Sequence, residues 1–156
     1  MTKLHKYGLT ESSDTAHDVH IVTPDRYDRW HAGLGDRQRN WLAAQNFTPK
    51  PGFAICLPDN DGHIEQAVGV VDTPYIWNGA KLSSSLPNAV WALQVYDKSI
   101  DHDQLGQLAL GWGLANYRFD RYRDQTKTPL NQLICPNNVS VSWLDGLLSG
   151  TYLCRD

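Results

Sequence analysis

One stretch limits the fold more than any other. Leu105, Leu108, Trp112, Ala115, Phe119 and Tyr122 recur at helical spacing, downstream of Asp101 and Asp103, either of which can cap a helix. The spacing predicts a helix with one apolar face for about five turns. Yet Gly106, Gly111 and Gly113 lie inside it, and each costs about 1 kcal/mol against Ala in a helix interior. A chain that keeps all three is expected to bring another element very close to that backbone. The helix is therefore expected to sit inside a packed domain.

The flanking segments alternate between short strands and helices. Residues 1–18 are polar, with Ser12-Ser13-Asp14 and no periodicity, and are expected to form a flexible lead-in. Val19-His20-Ile21-Val22 reads as a short strand stopped by Pro24. A helical pattern runs from about Arg26 to Gln45, interrupted at Gly33 and Gly35. Its second part is the firmer, with Asp36 as a cap and Trp41, Leu42 and Ala44 as an apolar side. Thr48-Pro49-Lys50-Pro51-Gly52 is a turn. Phe53 to Leu57 has strand length, Asp61-Gly62 favours a hairpin, and His63 to Asp72 resumes as a strand in which Gly69 is a candidate bulge. Tyr75 to Leu86 reads as a helix ended by Pro87, and Ala89 to Val95 as a strand. After the glycine-bearing helix, Pro129 ends the connection, Leu130 to Cys135 is a strand and Pro136-Asn137-Asn138 a turn. A last helix starts near Ser140 and runs to the chain end through Val141, Leu144, Leu147 and Leu148. The order β-α-β-β-α-β-α-β-α predicts an α/β fold of three layers, α/β/α, around a mixed sheet.

Composition narrows the class. The chain has 156 residues, 41% of them hydrophobic, which suits one packed domain over residues 19–156. Six Trp and seven Tyr are expected to dominate its core. A net charge of -3 leaves no basic surplus for phosphates, so nucleic acid is not an expected partner. The densest basic run, Arg118, Arg121 and Arg123, is interleaved with Asp120 and Asp124 and reads as a solvated helix face with local ion pairs. No stretch is long and apolar enough to span a bilayer, and residues 1–10 lack the apolar centre of a signal peptide, so a cytoplasmic location is expected. Cys56, Cys135 and Cys154 are odd in number and far apart, as free thiols in a reducing compartment would be.

No constellation carries recognisable chemistry. His17 and His20, with Asp14 and Asp18, are metal-ligand types, but a site needs three or four converging ligands on a rigid frame and this stretch has none. Asp59-Asn60-Asp61-Gly62 has a faint likeness to a calcium loop but lacks the later ligands, and a hairpin turn explains it. Asp101-His102-Asp103 suits the start of a helix better than an acid–base site. Ser83-Ser84-Ser85 falls at a helix end, no GxSxG elbow occurs, and Cys56 sits in an apolar strand where a thiol is inert. Neither phosphate-binding glycine pattern is present. No catalytic, cofactor-binding or metal-binding residue is therefore expected in the chain.

Several segments resemble one family. Gly111-Trp112-Gly113-Leu114-Ala115-Asn116-Tyr117-Arg118-Phe119-Asp120-Arg121-Tyr122 is similar to the "GWALGAYRFDRY" helix of bacterial leucyl aminopeptidase relatives in the M17 metallopeptidase family. Trp41 to Phe47 resembles its "WLAAQGF" segment, Leu86-Pro87 its following "LP", and Leu153-Cys154-Arg155-Asp156 the start of "LVRDLINTPANDM". The likeness covers about residues 26–156. Gly113 and Asn116 depart from it, and Asp145 to Tyr152 is less alanine-rich than usual.

The resemblance implies a two-domain, commonly hexameric aminopeptidase. Its amino-terminal domain would be a three-layer fold akin to macro domains. Its carboxy-terminal domain would hold two divalent metals, zinc or manganese, and remove the first residue of a peptide. The family's metal-binding and catalytic motifs lie beyond the point where this chain stops, so no such residue carries over. The expectation is a non-catalytic amino-terminal accessory domain whose partners are its own catalytic domain and further copies of the protein, and whose last helix leads into that domain. The alternative is a stand-alone macro-like module for a nucleotide or another small ligand.

Overall fold

The computed structural model describes residues 7–73, 75–96, 100–116, 131–136 and 139–155. The expectations for Arg118 to Asp124, Pro129, Leu130 and Asn137-Asn138 lie outside the described residues. The elements are β1 (Leu9–Thr10), β2 (His17–Val22), α1 (Tyr27–Ala32), α2 (Asp36–Ala44), β3 (Ala54–Pro58), β4 (Ile64–Val70), α3 (Tyr75–Ser85), β5 (Val90–Val95), α4 (His102–Ala115), β6 (Gln132–Ile134) and α5 (Val141–Arg155). They build one sheet in the order β1-β6-β5-β2-β4-β3. Every pairing is parallel except β3 with β4.

The sheet is covered on both faces, as a mostly parallel sheet requires. Residues 67–70 of β4 are all buried, Gly69 included. On one face Val22, Leu57, Val68 and Val70 pack under Tyr27, Trp30 and Leu42 of α1 and α2. On the other, Val19, Ile21, Ala67, Trp91 and Leu133 pack under Leu82, Leu108, Trp112, Leu144 and Leu148 of α3, α4 and α5. The three layers and mixed sheet of the expectation are thus present.

The glycines of α4 find their cause here. A Cβ at Gly111 would lie on the carbonyl of Ile76 in α3, and one at Gly79 of α3 on the carbonyl of Leu108 in α4. Each helix thus presses its backbone into the other at a glycine, and α3 and α4 form the most extensive contact among the described elements. Gly113 makes room for Leu148 of α5, whose methyl would stand 2.8 Å from an added Cβ, and Gly106 faces the Trp143 ring at 3.3 Å. The start of α4 is fixed by a capping box: Asp101 accepts the Gln104 amide at 2.9 Å, and Gln104 accepts the Asp101 amide at 2.8 Å.

Four local expectations change. Residues 7–10 are not a loose lead-in: β1 pairs with β6, and Tyr7 and Leu9 are buried. One contact and one backbone conformation accompany this placement. Asn116 donates to the Tyr7 carbonyl at 3.0 Å, and Gly8, at φ +78, adopts a backbone that few other residues accept. Gly69 is not a bulge, because the irregularity falls at Leu57/Pro58; an added Cβ there would meet Leu82 at 2.6 Å. Asp36 is not the cap of α2, which Gly35 occupies without a side-chain bond. Nor does α2 bury Trp41. It lies over edge strand β3 and donates its indole N–H to the Cys56 carbonyl at 2.9 Å, closing part of an edge that would otherwise invite pairing.

Gly111→Ala is expected to lower the unfolding free energy by about 1–3 kcal/mol, overpacking outweighing the gain in helix propensity. A urea titration followed by far-UV dichroism reads this. An unchanged midpoint would mean that α3 and α4 separate at no cost.

Candidate functional site

Each candidate group can now be placed. His17 and His20 are three apart in β2 and fall on opposite faces of the sheet. His17 lies against the Trp91 ring at 5.6 Å on one side. His20 lies against Trp30 at 6.4 Å on the other, with its Nε2 2.6 Å from the Gln66 Oε1. Asp18 accepts from Gln94 at 3.2 Å. The strand separates these ligand types instead of gathering them.

Asp59, Asp61 and His63 do converge. Their ligand atoms lie within 4.8 Å of one another, and no other such group occurs among the described residues. The donor set still fits a metal poorly. The Asp59 carboxylate accepts the backbone amides of Asp61 at 2.8 Å and His63 at 2.9 Å, so it closes the hairpin. The amide of His63 in particular holds this carboxyl below its usual range. Arg37 of α2 reaches the same hairpin through Asn60 and Glu65, placing a resident cation beside it. Asp59 thus serves as the residue that closes this turn.

Burial pushes both the half-buried Cys56 and the buried Cys135 above the ordinary thiol value, and neither forms a disulfide. A raised value suppresses the thiolate, the nucleophilic form. Ser84 donates to the Ala80 carbonyl at 3.2 Å, and the Ser83 carbonyl accepts from Asn131.

Two grooves remain. One, of about 480 Å³, lies between the amino ends of α4 and α5 and is lined by His102, Asp103, Gln107, Ser140 and Trp143 over Gly106. Asp101 is absorbed by the capping box, and Ser140 accepts the Trp143 amide at 3.2 Å. The other, of about 290 Å³, is an open trough beside Phe53, Trp77 and Lys81. Neither assembles a nucleophile, a base and an orienting partner.

The best-built polar feature is structural, and sequence reasoning missed it. Asn116 and Asn131 are buried. Asn131 accepts the Ala89 amide at 3.1 Å and donates to the carbonyls of Ser83 and Leu86, both at 3.0 Å. Its own carbonyl accepts the Trp112 indole N–H at 3.0 Å. Asn116 joins it to Tyr7. The departure of Asn116 from the family's motif was the one available signal.

The comparisons with known proteins identify the family. A family model described as the M17 aminopeptidase N-terminal domain matches residues 18–136. The chain belongs to this family. Among solved structures, this M17 N-terminal domain is similar to the cytosol aminopeptidase of Coxiella burnetii: TM-score 0.80, 25% identity, 95% of this chain and 32% of that one. It shares its fold with the bottromycin maturation enzyme BotP in complex with Mn, at TM-score 0.61 and 18% identity, over 91% of this chain and 31% of that one. A mutant of tomato leucine aminopeptidase shares the fold more distantly, at TM-score 0.50 and 14% identity, over 94% of this chain and 35% of that one. The chain thus spans about a third of the length of these structures. No curated protein matches it at the sequence level. The reading as a stand-alone ligand-binding module gains no support from these relatives.

Two experiments probe the site assignments. Asp59, with its value lowered by folding, stabilises the hairpin above the ordinary carboxylate range, and that contribution is lost as pH falls through its folded value. Asp59→Asn is expected to flatten the acid limb of a stability–pH profile below about pH 4; an identical limb would remove the role. Asn131→Leu is expected to cost about 1–3 kcal/mol or more, because it strands several buried groups at once. Chemical denaturation measures the loss, and a neutral variant would contradict the network.

Proposed function

We propose that this M17 N-terminal domain is a non-catalytic accessory domain of a metal-dependent leucyl-type aminopeptidase. The observation that carries the reading is how its family-like residues are used. Trp112 is buried and bonded to Asn131, Gly111 seats α3, and Trp41 covers the β3 edge. Leu42 and Phe47 fill the core under α2. The described residues of the segments most similar to the family are thus committed to packing, and none among them presents a reactive group.

The parent protein in this reading removes amino-terminal residues from peptides. Two divalent metals, zinc or manganese, sit in a second domain that follows α5. Their chemistry is to activate a water and polarise the scissile carbonyl. The described residues of this chain hold no donor set suited to them. Their role is to form a rigid layer against the second domain, support a homo-oligomer such as a hexamer, and limit substrate access. A cytoplasmic location accords with the name of the Coxiella relative, and no described helix is long and apolar enough to cross a membrane.

The purified 156-residue chain is expected to leave leucyl-p-nitroanilide uncleaved with added manganese or zinc. Turnover that co-purifies with the chain and is lost on chelation would sink the proposal. The reading frame beyond the codon for Asp156 is expected to continue into a Leu-Ile-Asn-Thr-Pro-like segment.

A further inference from the structure

Helix α5 is weak by its own sequence. Gly146 and Gly150 stand in its interior, and Val141, Ser142, Asp145 and Ser149 also rank low as helix formers. A segment of this kind stays helical through tertiary contacts more than through propensity. Some of those contacts are with α4, where Leu148 seats on Gly113 and the Trp143 ring lies over Gly106. Another comes from the opposite end of the chain.

The Tyr7 hydroxyl lies 2.7 Å from the Ser149 hydroxyl, across 142 positions of sequence. The next group decides the order of protons in this pair. Ser149 donates to the Asp145 carboxylate at 3.3 Å, and a hydroxyl has one proton to give. Tyr7 therefore donates to Ser149, and the bonds run from Tyr7 through Ser149 to Asp145. Tyr7 is buried in the same core as Trp112, Leu144 and Leu148. Its carbonyl accepts from Asn116, the residue that caps the carboxyl end of α4. The next residues lean on β6: the Gly8 carbonyl accepts the Leu133 amide at 2.8 Å and the Thr10 carbonyl accepts the Cys135 amide at 2.7 Å. One residue thus fastens to α4 through its backbone and to α5 through its hydroxyl.

We propose that Tyr7 is a latch, through which β1 and α5 open and close as one unit. With β1 seated on the sheet edge, α5 is held against α4; when β1 leaves, α5 is released while the interior strands stay folded. Two features put this unit at the low end of the domain's stability. Strand β1 has two residues and, among the described residues, pairs only with β6, whereas β2, β4 and β5 are each paired on both sides. Helix α5 lacks the propensity to keep its shape once undocked. Units with few supporting contacts open locally before the whole domain unfolds. The coupling is reciprocal: a change that loosens one half loosens the other by the same factor.

Amide-resolved hydrogen exchange on the 156-residue chain reads both halves. The amides of Leu133 and Cys135 report on β1, because their acceptors are Gly8 and Thr10. Those of residues 145–150 report on α5. Tyr7→Phe keeps the ring and removes the proton donor. It is expected to speed exchange in both sets by roughly two- to ten-fold, the range of one hydrogen bond's net contribution, and to leave β2, β4 and β5 unchanged. Ser149→Ala cuts the same bond from the α5 side. Its deciding readout is Cys135, expected to exchange faster by a similar factor although alanine favours the helix. Unchanged rates in both sets overturn the latch, as does acceleration confined to the half that carries the substitution. Acceleration spread equally over β2, β4 and β5 also overturns it, because the bond then supports the whole fold and not a local unit.

Discussion

The backbone contact between α3 and α4 is the constraint on which the rest of the domain depends. Two glycines, Gly79 and Gly111, let each helix approach the other's carbonyls more closely than any side chain allows. The approach places α3 and α4 as one slab on the sheet. Leu82 of α3 and Leu108 and Trp112 of α4 then reach the same core as Val19, Ile21 and Trp91. Interior packing at this density tolerates little change in volume, so the position of α4 in turn sets where Gly113 can receive Leu148 and hence where α5 lies.

A buried polar knot completes this arrangement. Asn131 ties the end of α3, the approach to β5 and the Trp112 indole into one point, and Asn116 extends it to Tyr7. Buried amides of this kind are costly when unsatisfied and specific when satisfied. They explain how a chain start of polar composition becomes the sheet-edge strand β1. The tethering is tertiary throughout: Asn116 acts on a residue 109 positions earlier.

Much of the layer order was legible in residue patterns. The alternation of strand and helix signals marked every described element except β1, and the hairpin turn at Asp59–Gly62 and the cap at Asp101 appear where turn and capping chemistry put them. The candidate chemical groups were less legible, because strand alternation and turn hydrogen bonds decide whether ligand types converge. His17 and His20 are neighbours in sequence yet face different layers, while Asp59 spends its carboxylate on its own hairpin. Trp41 shows the same limit. Its helical spacing suggested an inward apolar side, but its indole serves the exposed edge of β3.

The sequence by itself determined that this is a mixed α/β domain, that α4 must lie against a close neighbour, and that its glycine–tryptophan helix resembles the M17 amino-terminal domain. Periodicity, turn residues and glycine costs are local quantities, so they can be read along the chain. Only the tertiary structure decided which neighbour the glycines of α3 and α4 serve and why residues 7–10 are held. Those facts concern groups far apart in sequence, and nothing local records the distance between them.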